Sequence, residues 1–231
     1  MRKNKTFFII IITILFIFGT IYLFTNMRIK DYSQDTQDSS TTLSTITENT
    51  DNDKNSTSKI ILEKKSLSQP LDNCKNRVTK KPFGIYIEPN NSPVQPERFQ
   101  GFHTGTDFEV FPEELNKTIS VQAICTGKII SKKWVSGYGG VLIQNCQLDN
   151  EPITVLYGHI DLNSIKNVTG DTINQYNIIG KLGTGETPET DGERKHLHLS
   201  IKKGAEIDLR GYVQNKIELS NWIDLFLYIC K

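Results

Sequence analysis

From Phe83 onward, the apolar residues of this chain come in short runs, each closed by glycine, asparagine or aspartate. Phe83–Glu88 alternates, and Ile119–Ile130 is rich in β-branched residues, with a break at Thr126–Gly127. Val141–Asn145, Ile153–His159, Ile178–Leu182 and His196–Ile201 follow. Runs of this length suit strands, and their separation by turn-forming residues predicts an all-β domain, mainly antiparallel. Helix is expected only at Leu219–Tyr228, where Ser220 could cap it. Phe111–Leu115 reads as a turn.

What precedes this domain differs in kind. Phe7–Phe24 is an uncharged apolar run flanked by Arg2, Lys3 and Lys5. At about 1.5 Å per residue it just spans a bilayer core of roughly 30 Å. No Ala-x-Ala-like cleavage site lies near Thr25, and the first cysteine is Cys74, so no lipid-attachment cysteine follows. The expectation is an uncleaved N-terminal transmembrane helix with a cytoplasmic basic tip, although Arg28 and Lys30 blur the charge asymmetry. Asp31–Ser58 contains only Leu43 and Ile46 as aliphatic residues and reads as a disordered linker. The expected divisions are residues 1–27 for tip and anchor, 28–70 for linker and 71–231 for the folded domain. The domain is expected on the extracytoplasmic side of the membrane.

A net charge of +1 gives no bulk attraction to nucleic acid, and no nucleic-acid partner is expected. The four cysteines, Cys74, Cys125, Cys146 and Cys230, lack the paired spacing of a zinc finger. An exported domain favours disulfides, and three connectivities are open. Cys125 and Cys146 flank the Gly137 hairpin and could face each other. Cys74 and Cys230 would then tie the ends of the domain.

Histidine is scarce, with four in the whole chain: His103, His159, His196 and His198. His103-Thr104-Gly105-Thr106-Asp107 places a carboxylate four residues after an imidazole. His196-Leu197-His198, on a strand, sets two imidazoles on one face. A catalytic zinc takes three protein ligands and keeps one position open. His103, Asp107 and one histidine of the His-Leu-His pair would supply them. Two histidines then remain for moving protons and steadying developing charge.

These residues carry a resemblance. The chain resembles the lysostaphin-type, or LytM-like, zinc endopeptidases of bacterial peptidoglycan over about Lys81–Asp224. The blocks are Pro82-Phe83-Gly84, Phe102–Phe108, Gly137-Tyr138-Gly139, Leu156-Tyr157-Gly158-His159, Ile179–Gly183 and His196-Leu197-His198. The resemblance implies an antiparallel β-sheet groove of the duplicated-hybrid type, related to the barrel-sandwich hybrid, with one Zn2+ per chain on its floor. It implies His103, Asp107 and His198 as ligands and His159 and His196 as the catalytic pair. Its implied activity is hydrolysis of peptide bonds in stem peptides or cross-bridges; with the apolar run Phe7–Phe24, the expectation is a membrane-anchored enzyme, taken as a monomer. The alternative is a catalytically silent regulator of cell-wall amidases, or a wall-binding module. One departure stands out: relatives carry a tyrosine shortly before the first ligand histidine, and Glu97–Phe102 contains none. Arg98 could supply that hydrogen-bond donor, or Tyr86 or Tyr138 could reach over. Trp134–Gly140 and Gly183–Arg194 are expected as groove walls.

Overall fold

A computed structural model describes residues 67–230. The expected membrane helix at Phe7–Phe24 and the polar stretch Asp31–Ser58 lie outside the described residues. Among the described residues no helix is long and apolar enough to cross a membrane. In chain order the strands are β1 (Tyr86–Ile87), β2 (Gly101–His103), β3 (Thr106–Glu109), β4 (Ser120–Gln122), β5 (Gly127–Val135), β6 (Gly139–Leu148) and β7 (Glu151–Gly158). They continue as β8 (Ile160–Asp161), β9 (Thr172–Ile173), β10 (Ile178–Leu182), β11 (His196–Lys203), β12 (Tyr212–Val213) and β13 (Trp222–Ile223). Among the described residues helix is confined to α1 (Cys74–Arg77), α2 (Lys216–Leu219) and short 3-10 turns.

Every strand pair is antiparallel, as the short punctuated runs require. The largest sheet has the order β13-β11-β7-β6-β5-β9, and β3 joins the same edge of β11 as β13. Two small sheets, β1-β2-β12 and β4-β10-β8, complete the domain. The β6–β7 hairpin turns on Asp149 and Asn150, both at positive φ (52° and 68°). That geometry matches the right-handed twist of the flanking strands, and aspartate and asparagine tolerate it.

Strand alternation sorts the large sheet into two faces. Leu142, Val155, Tyr157, Leu197, Leu199 and Ile201 enter the main core with Phe108, Ile124 and Leu225. The opposite face carries a smaller apolar cluster, Tyr138, Val141, Ile143 and Leu156. His198 pairs with Gly158, which pairs with Val141, so His198 and His196 lie on this second face. The six residues His196–Ile201 are all buried.

Several sequence expectations change. Leu219–Tyr228 is not one helix. Leu219 ends α2, which Asn215 caps by accepting a hydrogen bond from Glu218 N at 2.9 Å. Beyond it Trp222 is buried and Ile223 pairs with Ile201 of β11. Pairing with a long partner strand outweighs a weak helical pattern. The alternating run Phe83–Glu88 forms only the two-residue β1, because Gly84 sits at φ 74°. The break between β4 and β5 spans Ala123–Thr126 and so takes in Cys125. Phe111–Leu115 does hold a short turn, a 3-10 segment at Pro112–Glu114. Both cysteine pairs form disulfides, Cys74–Cys230 and Cys125–Cys146.

Ordered packing reaches upstream of Leu71. Leu67 is buried in the main core, Ser68 N donates to Ile124 O at 2.9 Å, and Ser68 Oγ donates to Ala123 O at 3.1 Å. A buried leucine contributes about 1.5–3 kcal/mol and each hydrogen bond about 1 kcal/mol. A fragment starting at residue 71 is therefore expected to be less stable than one starting at residue 66, by about 2–4 kcal/mol. Urea unfolding of the two fragments measures this, and equal midpoints would refute it.

Candidate metal centre and active-site groove

Three strands bring the candidate ligands together. His103 ends β2, and Thr104-Gly105 turns the chain into β3, which carries Asp107. β11 then pairs with β3 so that His198 lies opposite Asp107. Gly105 is required by proximity: a Cβ there would lie 2.6 Å from His198 ring atoms. The result is a triangle of acceptor atoms. His103 Nε2 and His198 Nδ1 are 3.1 Å apart, His198 Nδ1 and Asp107 Oδ1 are 3.1 Å apart, and His103 Nε2 and Asp107 Oδ1 are 3.5 Å apart.

This donor set fits a divalent metal. For bonds of 2.0–2.1 Å, a tetrahedral site has edges of roughly 3.3 Å. His103 Nδ1 faces Pro82 O at 3.3 Å, and a carbonyl only accepts, so the ring proton sits on Nδ1 and the Nε2 lone pair points to the site. Burial pushes the His103 imidazolium down to about 3, despite the opposing pull of Asp107. Burial alone would raise Asp107, but His196 and His103 beside it hold its carboxyl well below the usual range. Two imidazoles and a carboxylate form a site able to hold a metal ion.

The two remaining histidines adjoin this triangle. His159 follows β7, and its ring centroid lies 4.2 Å from that of His196. Its backbone is left-handed (φ 61°), held by His159 N donating to Tyr138 O and Gly183 N donating to His159 O. Such a conformation costs about 1–3 kcal/mol for a residue other than glycine and is most often found at functional sites. Burial moves the His159 imidazolium well below its ordinary value, with His196 adding to the effect. His196 Nδ1 donates to Arg194 O at 2.8 Å, and its Nε2 lies 3.3 Å from Asp107 Oδ2.

A cavity of about 270 Å³ opens over these groups, and Asp107, His159, His196 and His198 line it. Its walls include Ser136-Gly137-Tyr138 and Glu193-Arg194, from the two expected segments, together with Phe99, Gln100 and Leu209–Tyr212. The structure thus gathers all five histidine and aspartate residues singled out in the sequence. Arg98 stands apart. Its guanidinium binds Asp191 and Glu193 on the exposed surface, and it is not among the residues lining the cavity. Tyr86 is 40% exposed and accepts from Gln100, whereas Tyr138 lines the cavity with its ring 5.0 Å from that of His198.

Two groups, Tyr212 and Lys81, are not expected at the site from sequence, and a third, Arg194, is expected only as part of a groove wall. Tyr212 pairs with His103 across β12 and β2, and its ring lies 5.2 Å from the His103 ring. Lys81 Nζ donates to Tyr212 Oη at 3.2 Å and pairs with buried Glu97 at 2.6 Å. Arg194 reaches Asp107. None belongs to a recognisable motif, and Tyr212 lies far from His103 in sequence.

Fold and site together define an antiparallel β protein with a three-donor, metal-capable centre and two unspent histidines in one groove. Residues 101–209 match the model of peptidase family M23, a little under half of the chain. A curated relative, Endolysin 2638A of Staphylococcus phage 2638A, is 29% identical over 123 residues, which are 53% of this chain and 24% of the relative. The chain thus spans about a quarter of that relative's length. Similar solved structures include LytU (23% identity, TM-score 0.43, 64% of this chain and 80% of that one). A zinc-containing peptidase from Vibrio cholerae is 19% identical with a TM-score of 0.40, covering 64% of this chain and 41% of that one. Over residues 101–209 the described domain is thus similar to peptidase family M23.

The two buried histidines make a pH prediction. An unfolded histidine takes its proton near pH 6.5. Below that pH the unfolded chain binds protons that the folded, metal-free domain refuses at His103 and His159. Their contribution to stability is full above about pH 6.5 and is lost as pH falls toward about 3. The urea midpoint of chelator-treated protein is expected to fall between pH 7 and 4.5. His159→Asn, which tolerates the left-handed backbone, should flatten that slope. A midpoint independent of pH over this range would contradict the assignment.

Proposed function

We propose that this chain is a zinc-dependent endopeptidase that hydrolyses peptide bonds of bacterial peptidoglycan, in stem peptides or cross-bridges. We further propose that Phe7–Phe24 holds it on the membrane, with the domain of about residues 71–231 on the extracytoplasmic side beyond a linker. One observation carries the catalytic reading. Three acceptor atoms converge at 3.1–3.5 Å while two further histidines, not needed as ligands, line the same cavity. A purely structural zinc site would close with a fourth protein ligand.

His103 Nε2, Asp107 Oδ1 and His198 Nδ1 would hold one Zn2+, which would polarise a substrate carbonyl and acidify water. His196 is set up as a base. Its Nδ1 proton is committed to Arg194 O, so Nε2 is left to take a proton from the attacking water. Nε2 also lies 3.3 Å from Asp107 Oδ2. His159, kept neutral by burial, stands beside it to pass a proton or donate to developing negative charge. Tyr212 supplies a hydroxyl at the cavity wall. A lysine ammonium can only donate, so Tyr212 Oη accepts from Lys81 and keeps its own hydrogen for the carbonyl oxygen. Burial raises the Tyr212 phenol and keeps it a donor. Arg98, already engaged by Asp191 and Glu193, is the weaker candidate for that role.

Five variants test the division of labour. His103→Ala, Asp107→Ala and His198→Ala are expected to lose zinc and activity together. His159→Ala and His196→Ala are expected to keep most zinc and lose turnover by on the order of 10²–10⁴-fold. Metal analysis of the purified proteins, with mass spectrometry of muropeptides released from cell wall, reads both. Zinc retained in all five would place the metal elsewhere. Stoichiometric zinc without any released peptide would return the domain to the regulator or wall-binding reading.

A further inference from the structure

We propose that Arg194 is a positioning residue that commits one oxygen of Asp107 to the protein and leaves the other for the metal. This rests on the metal-centre reading above. Asp107 and Glu109 are successive residues on one face of β3, and both carboxylates meet the Arg194 guanidinium. Arg194 Nη2 lies 2.9 Å from Asp107 Oδ2. Arg194 Nε lies 2.9 and 3.1 Å from the two Glu109 oxygens, and Nη2 also meets Glu109 Oε1.

The two oxygens of Asp107 therefore have separate surroundings. Oδ2 faces Arg194 and His196 Nε2, whereas Oδ1 faces His103 Nε2 and His198 Nδ1. Asp107 is buried and the Arg194 side chain is only 17% exposed, so the contact is shielded from water. A carboxylate free to turn could present either oxygen, or both, to a cation. The planar fork prevents this, because it grips Asp107 and Glu109 together and cannot follow a rotation of one alone. Glu109 in turn keeps the guanidinium from moving wholly onto Asp107. The same residue reaches the catalytic pair through its backbone, since Arg194 O accepts the His196 Nδ1 proton. Metal ligand and base are thus held from one point just before β11.

The test is the zinc dissociation constant of the full chain, measured by competition with a chromophoric chelator, alongside thermal unfolding of the metal-free protein. Arg194→Ala is expected to weaken zinc binding on the order of 10–100-fold. Arg194→Lys, which keeps the charge but lacks the fork, is expected to recover only part of this. Glu109→Gln, which loosens the clamp from its other side, is expected to weaken zinc binding less than Arg194→Ala. If Arg194→Ala does not fold, the other two variants decide by the same measurement. A residue that merely braced the loop would lower the unfolding temperature and leave the dissociation constant within about twofold of the parent (roughly 0.4 kcal/mol), and that result overturns the proposal. A parent protein that binds no zinc overturns both this proposal and the metal-centre reading, whereas unchanged variants of a zinc-binding parent overturn this one alone.

Discussion

The seating of β11 between β3 and β7 is the constraint on which the site depends. His198 lies opposite Asp107 on one side and Gly158 on the other, so one register fixes the third ligand against the second. It also sets His159, the residue after Gly158, beside His196. Side chains alternate along a strand, so a slip by one residue would turn Leu197 and Leu199 into the groove and both histidines into the core. Leu197, Leu199 and Ile201 are fully buried in the main core, and their burial holds the register that the histidines use. Packing on one face of the strand thus secures chemistry on the other.

The groove concentrates buried polar groups that would be costly alone. His103 and His159 meet that cost by staying neutral. Asp107 meets it with imidazoles and a guanidinium around its oxygens. Lys81 and Glu97 meet it by pairing, and the two backbone amides of Arg98 and Phe99 complete the Glu97 carboxylate. Buried pairs of this kind contribute little net stability, because desolvation offsets the attraction. What they supply is orientation. Lys81 holds Tyr212 against His103, and Arg194 holds Asp107.

The rim follows the same economy of contacts. Asp191 accepts from Gly137 N at 2.7 Å and from Arg98, so one carboxylate joins three loops at the edge of the cavity. The turn at Ser136–Tyr138 and the segment ending at Arg194 are thereby fixed relative to each other. Trp134 adds a further tie by donating to Pro188 O at 3.0 Å.

The sequence by itself determined the antiparallel β character, through short apolar runs and their glycine and asparagine breaks. It also offered His103, Asp107 and one histidine of His196-Leu197-His198 as candidate ligands, because a chain with four histidines has few ways to assemble such a centre, and the family resemblance implied His198 as the third. These features are local: periodicity and the spacing of His103 with Asp107, or His196 with His198, are legible within a few residues. Only the tertiary structure decided that His198 Nδ1 rather than the other ring nitrogen meets Asp107. It alone decided that Trp222 leaves its helical pattern to pair with β11, that Tyr212 and Lys81 join the groove, and that Arg194 reaches Asp107. Those contacts join residues up to 131 positions apart. Their partners are chosen by strand register and by the need to satisfy buried charge, and neither leaves a trace in local sequence.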